Sequence, residues 1–302
     1  MAKSKQMKKG IIKKTAVIGV FFILPAMIFI GYAIFVPAVW NFFLSFQKWD
    51  GFQSKQWVGL DNYIKAFQDG VLYKSLFNSI YLAVVITSFS VIAGLVLALL
   101  IYRLKRAEGA FYRLIIFMPV MLPVAIIGLL FTFMYNPEMG LVNQFLRLIG
   151  ADFLTNAWLA NIKINMLAIS FVGIWRMSGL TMILCFAALQ ALPASFYEAS
   201  RLDGASYIKQ LTLIVLPLIK PVIQLSAVFT LIVSFKTYDL VYVMTQGGPG
   251  ITTKTIPLYM IENGFGYNDF GYAAAMGFIL AMVILLISRV INLLLGGEKY
   301  EY

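Results

Sequence analysis

Apolar residues along this 302-residue chain come in long runs, neither alternating like a half-buried strand nor spaced like the stripe of a surface helix. Six runs reach the length of about 20 residues that a helix needs to cross roughly 30 Å of hydrocarbon. They cover about residues 17–43, 78–102, 114–135, 166–189, 222–245 and 271–295. Runs that are long and continuously apolar favour helices over the strands of a barrel. The pattern predicts an all-α membrane protein with six transmembrane helices. Pro25, Pro119 and Pro123 lie in or near the first and third runs and mark candidate kinks.

Composition agrees. The chain is 61% hydrophobic and 12% charged, where a soluble domain carries about a quarter charged residues. The net charge is +11, from 24 Lys and Arg against 13 Asp and Glu. The basic residues cluster at the ends of apolar runs and not on an aromatic-interleaved polar face, which excludes a nucleic-acid partner. Counted by side, fifteen of the 24 fall with the N-terminal tail (Lys3 to Lys14), the second and fourth connections and the C-terminal end. Eight fall on the other side, and Arg176 lies within a run. The positive-inside rule then places both termini in the cytoplasm, and an even number of spans agrees with that. The uncharged stretch from Thr15 to Gln47 is too long for a signal peptide core and reads as a retained anchor.

The expected organisation is a cytoplasmic tail, first helix and outer loop over residues 1–73. A transmembrane core covers 74–295, with a short cytoplasmic helix at about 194–209, and a tail covers 296–302. Such a chain is a multi-pass protein of the plasma or inner membrane, in contact with the lipid bilayer. Cys185 sits in an apolar run and reads as a small hydrophobe. There is no histidine, so histidine-based metal sites and acid–base chemistry are excluded. No Gly-x-x-x-x-Gly-Lys-Ser/Thr run is present either. We therefore expect no catalytic residue, no metal and no bound nucleotide.

The fourth connection carries the most specific pattern. It reads Leu192-Pro193-Ala194-Ser195-Phe196-Tyr197-Glu198-Ala199-Ser200-Arg201-Leu202-Asp203-Gly204, and continues to Ile214-Val215-Leu216-Pro217. Pro193 suits a helix start. Phe196, Leu202 and Ile208 alternate with Glu198, Arg201, Asp203 and Lys209, which predicts an amphipathic helix too polar to span. Gly204 permits a turn or a close approach, and Pro217 marks a bend into the fifth span.

Glu198-Ala199-Ser200, three residues, Gly204, nine residues, then Ile214-x-Leu216-Pro217 resembles the EAA motif of permeases of binding-protein-dependent ABC importers. Ser200 replaces the second alanine of the pattern, one small residue for another. The resemblance implies a type I importer transmembrane fold. It also implies that this segment is the coupling helix, seated in a cleft of a separate ATPase. Glu198, Ala199, Ser200, Asp203, Gly204, Ile214, Leu216 and Pro217 are the coupling candidates, with Glu198 and Gly204 as contact positions. Two further stretches, around Trp57-Val58-Gly59-Leu60-Asp61-Asn62-Tyr63 and from Tyr238 to Pro249, resemble the carbohydrate branch. The resemblance implies a chain that is no enzyme. Its partners would be a second homologous permease in a heterodimer, two ATPase subunits holding ATP and Mg, and an extracytoplasmic solute-binding protein. The cargo it implies is a sugar or oligosaccharide, with glycerol-phosphate, an amino acid or a peptide as alternatives. A secondary transporter would show inverted repeats and mid-membrane carboxylates; Asp239 is the one acidic residue at plausible depth.

Charge inside a membrane helix needs a partner or a wet cavity. Arg176, flanked by Trp175, reads as half of a structural or gating salt bridge in preference to a substrate contact. Lys236 and Asp239, three apart, are expected on one helix face, and Tyr238 and Tyr242, four apart, on another. Aromatic rings beside polar groups suit a sugar, whose C–H face stacks while its hydroxyls hydrogen-bond. Trp175, Arg176, Tyr238, Asp239 and Tyr242 are therefore the pathway candidates. The alternative assigns Tyr238 and Tyr242 to an interfacial aromatic belt, with Lys236 and Asp239 as an internal ion pair.

Overall fold

The structure is a computed structural model that describes residues 19–295. The lysine-rich start of the tail, residues 17–18 of the first expected span and the tail at 296–302 lie outside the described residues.

Five helices are long and apolar enough to span a bilayer. They are α1 (Gly19–Leu44), α3 (Gly70–Tyr102), α7 (Asn165–Ala191), α9 (Tyr207–Phe235) and α12 (Phe270–Leu295). The third expected span is instead a bent pair, α4 (Arg106–Met121) and α5 (Val124–Met134), meeting at 98°. The bend falls at Leu122-Pro123, where proline forces its predecessor out of the helical region (Leu122 has ψ 143°). The break thus sits at Pro123, while Pro119 is carried inside α4. Counting the pair as one span gives the six expected from the sequence.

The chain divides into two compact units. The first comprises Met1–Phe67 and Asn263–Phe278. Within it, α1 exposes large apolar side chains such as Phe21, Phe22, Phe29 and Tyr32. This is the surface a bilayer, and not water, solvates. A two-stranded antiparallel hairpin, β1 (Gln47–Lys48) with β2 (Gln56–Trp57), leads to the short helix α2 (Asp61–Gln68). Buried Asn62 ties the turn together: its amide donates to the carbonyls of Ser45 at 2.9 Å and Gln47 at 3.0 Å. Trp57 stacks on Phe46, and Lys65 pairs with Asp269 at 2.6 Å. The Trp57–Tyr63 stretch is therefore an architectural clasp in this unit.

The second unit, Gln68–Glu262 and Ile279–Tyr302, is organised on α3 and α7. Small residues let these helices approach closely. A Cβ on Gly94 of α3 would lie 2.5 Å from Thr181 Cβ and 2.7 Å from the Ser178 carbonyl of α7. A Cβ on Gly173 would lie 2.5 Å from Ile86. Two buried clusters follow. One gathers Leu82, Ile86, Phe131, Val172, Met177, Val241 and Met244. The other gathers Ala98, Met182, Cys185, Leu189, Val215 and Ile219, so Cys185 is a core residue. Polar side chains pin the loop after residue 246. Asn78 donates to the Lys254 carbonyl at 2.8 Å, Asn165 to Thr252 Oγ1 at 2.9 Å, and the Ile256 N–H to Ser79 Oγ at 3.0 Å.

Candidate functional site

The connection after α7 is built as a capped helix, then a turn, then a long span. Helix α8 (Ala194–Leu202) follows Pro193, which stands at its N-cap, and closes at Gly204. Gly204 adopts φ +73°. Its N–H donates to the Arg201 carbonyl at 3.0 Å, and the Ala205 N–H to the Ser200 carbonyl at 2.9 Å. This pair of bonds is the Schellman arrangement, in which a left-handed residue satisfies the last carbonyls of a helix. A Cβ on Gly204 would meet nothing within 4 Å. The glycine is thus required by the backbone turn and not by close approach. The turn also corrects the expected span of the short helix, 194–209. After Ser206, whose hydroxyl caps the next turn, Tyr207 begins α9, so Ile208 and Lys209 belong to the span itself. Pro217 stands inside α9; the wide π turn Leu211–Val215 directly before it accommodates the missing donor.

The coupling candidates fall into two groups. Glu198, Ala199, Asp203 and Gly204 are exposed on α8 and its cap. Ser200 is buried, and its hydroxyl donates to the Tyr197 carbonyl at 2.9 Å. Ala199, Ser200 and Asp203 line a groove of about 420 Å³ together with Ile214 and Pro217. Five of the eight positions therefore meet in one place, with Leu216 half-buried beside them in α9. Small residues at 199 and 200 leave room for the base of α9, which is what the spacing between the alanine pair and the Ile-x-Leu-Pro run provides. On the other side of α8 lies a second cavity of about 400 Å³, lined by Tyr102, Arg103, Tyr197, Arg201, Tyr207 and Gln210. Tyr102 and Tyr197 stack, and Arg103 lies 4.5 Å from the Tyr207 ring. Burial, with Tyr102 beside it, pushes the Tyr197 hydroxyl up to about 12. Sequence reading missed this cavity, because its residues come from four separate helices with no fixed spacing.

The fifth expected span is interrupted. Helix α9 ends at Phe235, Lys236 forms its C-cap, and α10 (Asp239–Thr245) starts anew. Lys236 and Asp239 therefore do not share a face of one continuous helix, which corrects that expectation. The break is electrostatically sensible. A cation stands at the C-terminal end of α9 and a carboxylate in the first turn of α10, each favoured by about 0.3–1 kcal/mol. Tyr238 and Tyr242 do share a face of α10: their rings stack at 5.3 Å and 19°. The loop beyond turns through Gln246 and Gly247, with φ 51° and 86°, and is held by a 2.7 Å hydrogen bond between the Thr245 and Thr253 hydroxyls.

The break opens on a cavity of about 210 Å³ lined by Gly173, Arg176, Ser234, Lys236, Tyr238 and Asp239, among others. Three pathway candidates, Arg176, Tyr238 and Asp239, are thus brought together. Trp175 is not among them. One residue along α7, it turns to a separate apolar cavity of about 650 Å³, beside Phe131, Tyr135 and Trp158. Tyr242 is exposed and reaches the site only through its stack on Tyr238. Among the described residues, the ion pairs are Lys65–Asp269 and Lys254–Glu262. Neither the expected Arg176 salt bridge nor a Lys236–Asp239 pair is formed. A charged side chain at the bilayer centre costs about 2.5–3.5 kcal/mol on insertion scales, so a polar cavity is the setting Arg176 requires.

Long apolar helices, one of them interrupted at a polar break, mark a multi-pass membrane protein. The chain belongs to the family of binding-protein-dependent transport system inner membrane components, whose model matches residues 90–296. It is 35% identical over 285 residues to a probable ABC transporter permease of Bacillus subtilis, covering 94% of this chain and 96% of that one. A diacetylchitobiose uptake system permease of Streptomyces coelicolor is 33% identical, over 92% of this chain and 82% of its own. The sn-glycerol-3-phosphate transport system permease of Shigella flexneri is 30% identical, over 84% and 85%. In fold, the chain resembles a subunit of a bacterial alginate ABC importer, with a TM-score of 0.78 over 96% of this chain and 98% of that one, at 22% identity.

Proposed function

We propose that this permease forms half of the route by which a sugar or oligosaccharide crosses the membrane, and that residues 198–217 couple it to partner ATPases. The observation that carries the reading is the Schellman-capped helix α8. It displays Glu198 outward while Ala199, Ser200, Ile214 and Pro217 meet behind it. Glu198 would face a basic group of the ATPase. Movement of the ATPases would push α8, and the rigid turn at Gly204 would pass the push into α9, whose far end is the polar break. The remaining partners would be a second related permease and an extracytoplasmic solute-binding protein, with both termini of this chain in the cytoplasm. ATP and Mg would belong to the ATPases, and this chain would bind no cofactor.

The carbohydrate assignment rests on relatives such as the diacetylchitobiose permease. It also draws on the stacked Tyr238 and Tyr242 beside a polar cavity, a surface suited to the apolar face of a sugar ring. Glycerol-phosphate is the second reading, favoured by the relative of that name. The test is uptake of labelled saccharides by vesicles containing both permeases and the ATPases, with binding protein supplied outside. Accumulation should require ATP and the binding protein together. Accumulation driven by an ion gradient without ATP would overturn the reading.

A further inference from the structure

The cavity at the break is unusual for its balance of charge. Its polar lining is Arg176, Lys236, Asp239, Ser234, Thr237 and Tyr238. Two side chains are cationic and one is a carboxylate, and none is ion-paired within 4 Å among the described residues. Arg176 Nε and Ser234 Oγ are buried without a hydrogen-bond partner, and the Arg176 fork contacts the sulfur of Met177 at 3.8 Å. A guanidinium only donates, so what it lacks is an acceptor. Buried polar groups are nearly always satisfied, so a guanidinium at a polar cavity with a thioether as its hydrogen-bond contact keeps donors free for an acceptor. Lys236 adds a second cation and Tyr238 a hydroxyl. At about 210 Å³ the space admits a charged substituent together with a single ring.

We infer that this cavity selects cargo carrying an oxyanion, a carboxylate, phosphate or sulfonate on a sugar, with Arg176 as the principal contact and Lys236 as a supporting donor. The planar fork of arginine matches such groups in a bidentate manner, which a neutral hydroxyl does not reproduce. Asp239 at the edge repels an anion placed too far toward α10, and so fixes where it sits. The adjoining Tyr238–Tyr242 stack takes the ring to which the oxyanion is attached. This inference rests on the proposed role of the break as part of the sugar route.

The test uses the complete transporter, this permease with its partner subunits, in lipid nanodiscs at fixed ionic strength. The thermal denaturation midpoint is followed against glucose, glucuronate, glucose 6-phosphate and inorganic phosphate. Wild type should respond to glucuronate or glucose 6-phosphate at concentrations at least tenfold below those needed for glucose or inorganic phosphate. Arg176→Gln should raise the half-saturating concentration of the acid sugars at least tenfold and leave that of glucose unchanged, with Arg176→Lys in between. Lys236→Gln should give a smaller rise. Equal response to glucose and the acid sugars, an equal response to inorganic phosphate, or no change in Arg176→Gln would each overturn the inference. ATP-driven uptake of an acid sugar that is indifferent to Arg176→Gln would defeat the oxyanion site alone and leave the transport reading standing.

Discussion

The loop around α8 and the break between α9 and α10 are both places where a helix stops and another begins, yet they are built on opposite principles. At α8 the stop is made by backbone geometry: Gly204 at φ +73°, two Schellman bonds and open space around the turn. At residues 236–238 the stop is made by charge and tertiary contact. Lys236 and Asp239 lie at opposing helix ends, and Thr255 Oγ1 donates to the Thr237 carbonyl at 3.2 Å. The first device holds a charged surface still and presents it. The second keeps donors unsatisfied within the membrane span. The proposed function would use both, the first as a handle and the second as a polar site along the route.

The frame that carries both regions should be the most sensitive to substitution. Gly94→Leu drives a side chain into Ser178 and Thr181 of α7, where Cβ alone would already lie at 2.5 Å. Overpacking of this kind costs about 1–3 kcal/mol or more. Membrane accumulation of the folded protein, read by fluorescence size exclusion, should fall severalfold. Normal accumulation would mean that the α3–α7 contact is not the organising one.

A smaller and more local effect separates the two regions. Tyr238→Ala with Tyr242→Ala removes the stacked face and leaves α8 and the close approaches of α3 and α7 at Gly94 and Gly173 in place. Transport should weaken, with a half-saturating concentration raised several-fold, while assembly and basal ATP hydrolysis stay as in wild type. Unchanged transport kinetics would return both rings to an interfacial belt.

The same contrast explains what the sequence made legible. The spans were readable because burial in lipid demands unbroken apolar runs, and the loop around α8 because a left-handed turn needs glycine and a helix start tolerates proline. The break at 236–238 was hidden, since Lys236, Tyr238 and Asp239 sit within a run whose average hydropathy still reads as one helix. Only packing against Thr255 and the cavity beside Arg176 shows the interruption. Trp175 and Arg176 are neighbours in sequence, so spacing could not tell that they face different cavities. The stretch from Trp57 to Tyr63 was legible as a resemblance to the carbohydrate branch, and the structure adds that Asn62 and Trp57 make it a clasp.

The central claim is that the exposed helix α8 transmits work from ATP hydrolysis to the route. Its most direct test is Gly204→Trp in reconstituted vesicles, measuring ATP hydrolysed and saccharide accumulated in the same sample. The left-handed turn disfavours any side chain by roughly 1–2 kcal/mol, and indole would occupy the open surface beside Glu198. The account predicts a protein that inserts and assembles normally, still hydrolyses ATP, and accumulates less than a tenth of the wild-type saccharide. Uptake and stoichiometry equal to wild type would contradict it.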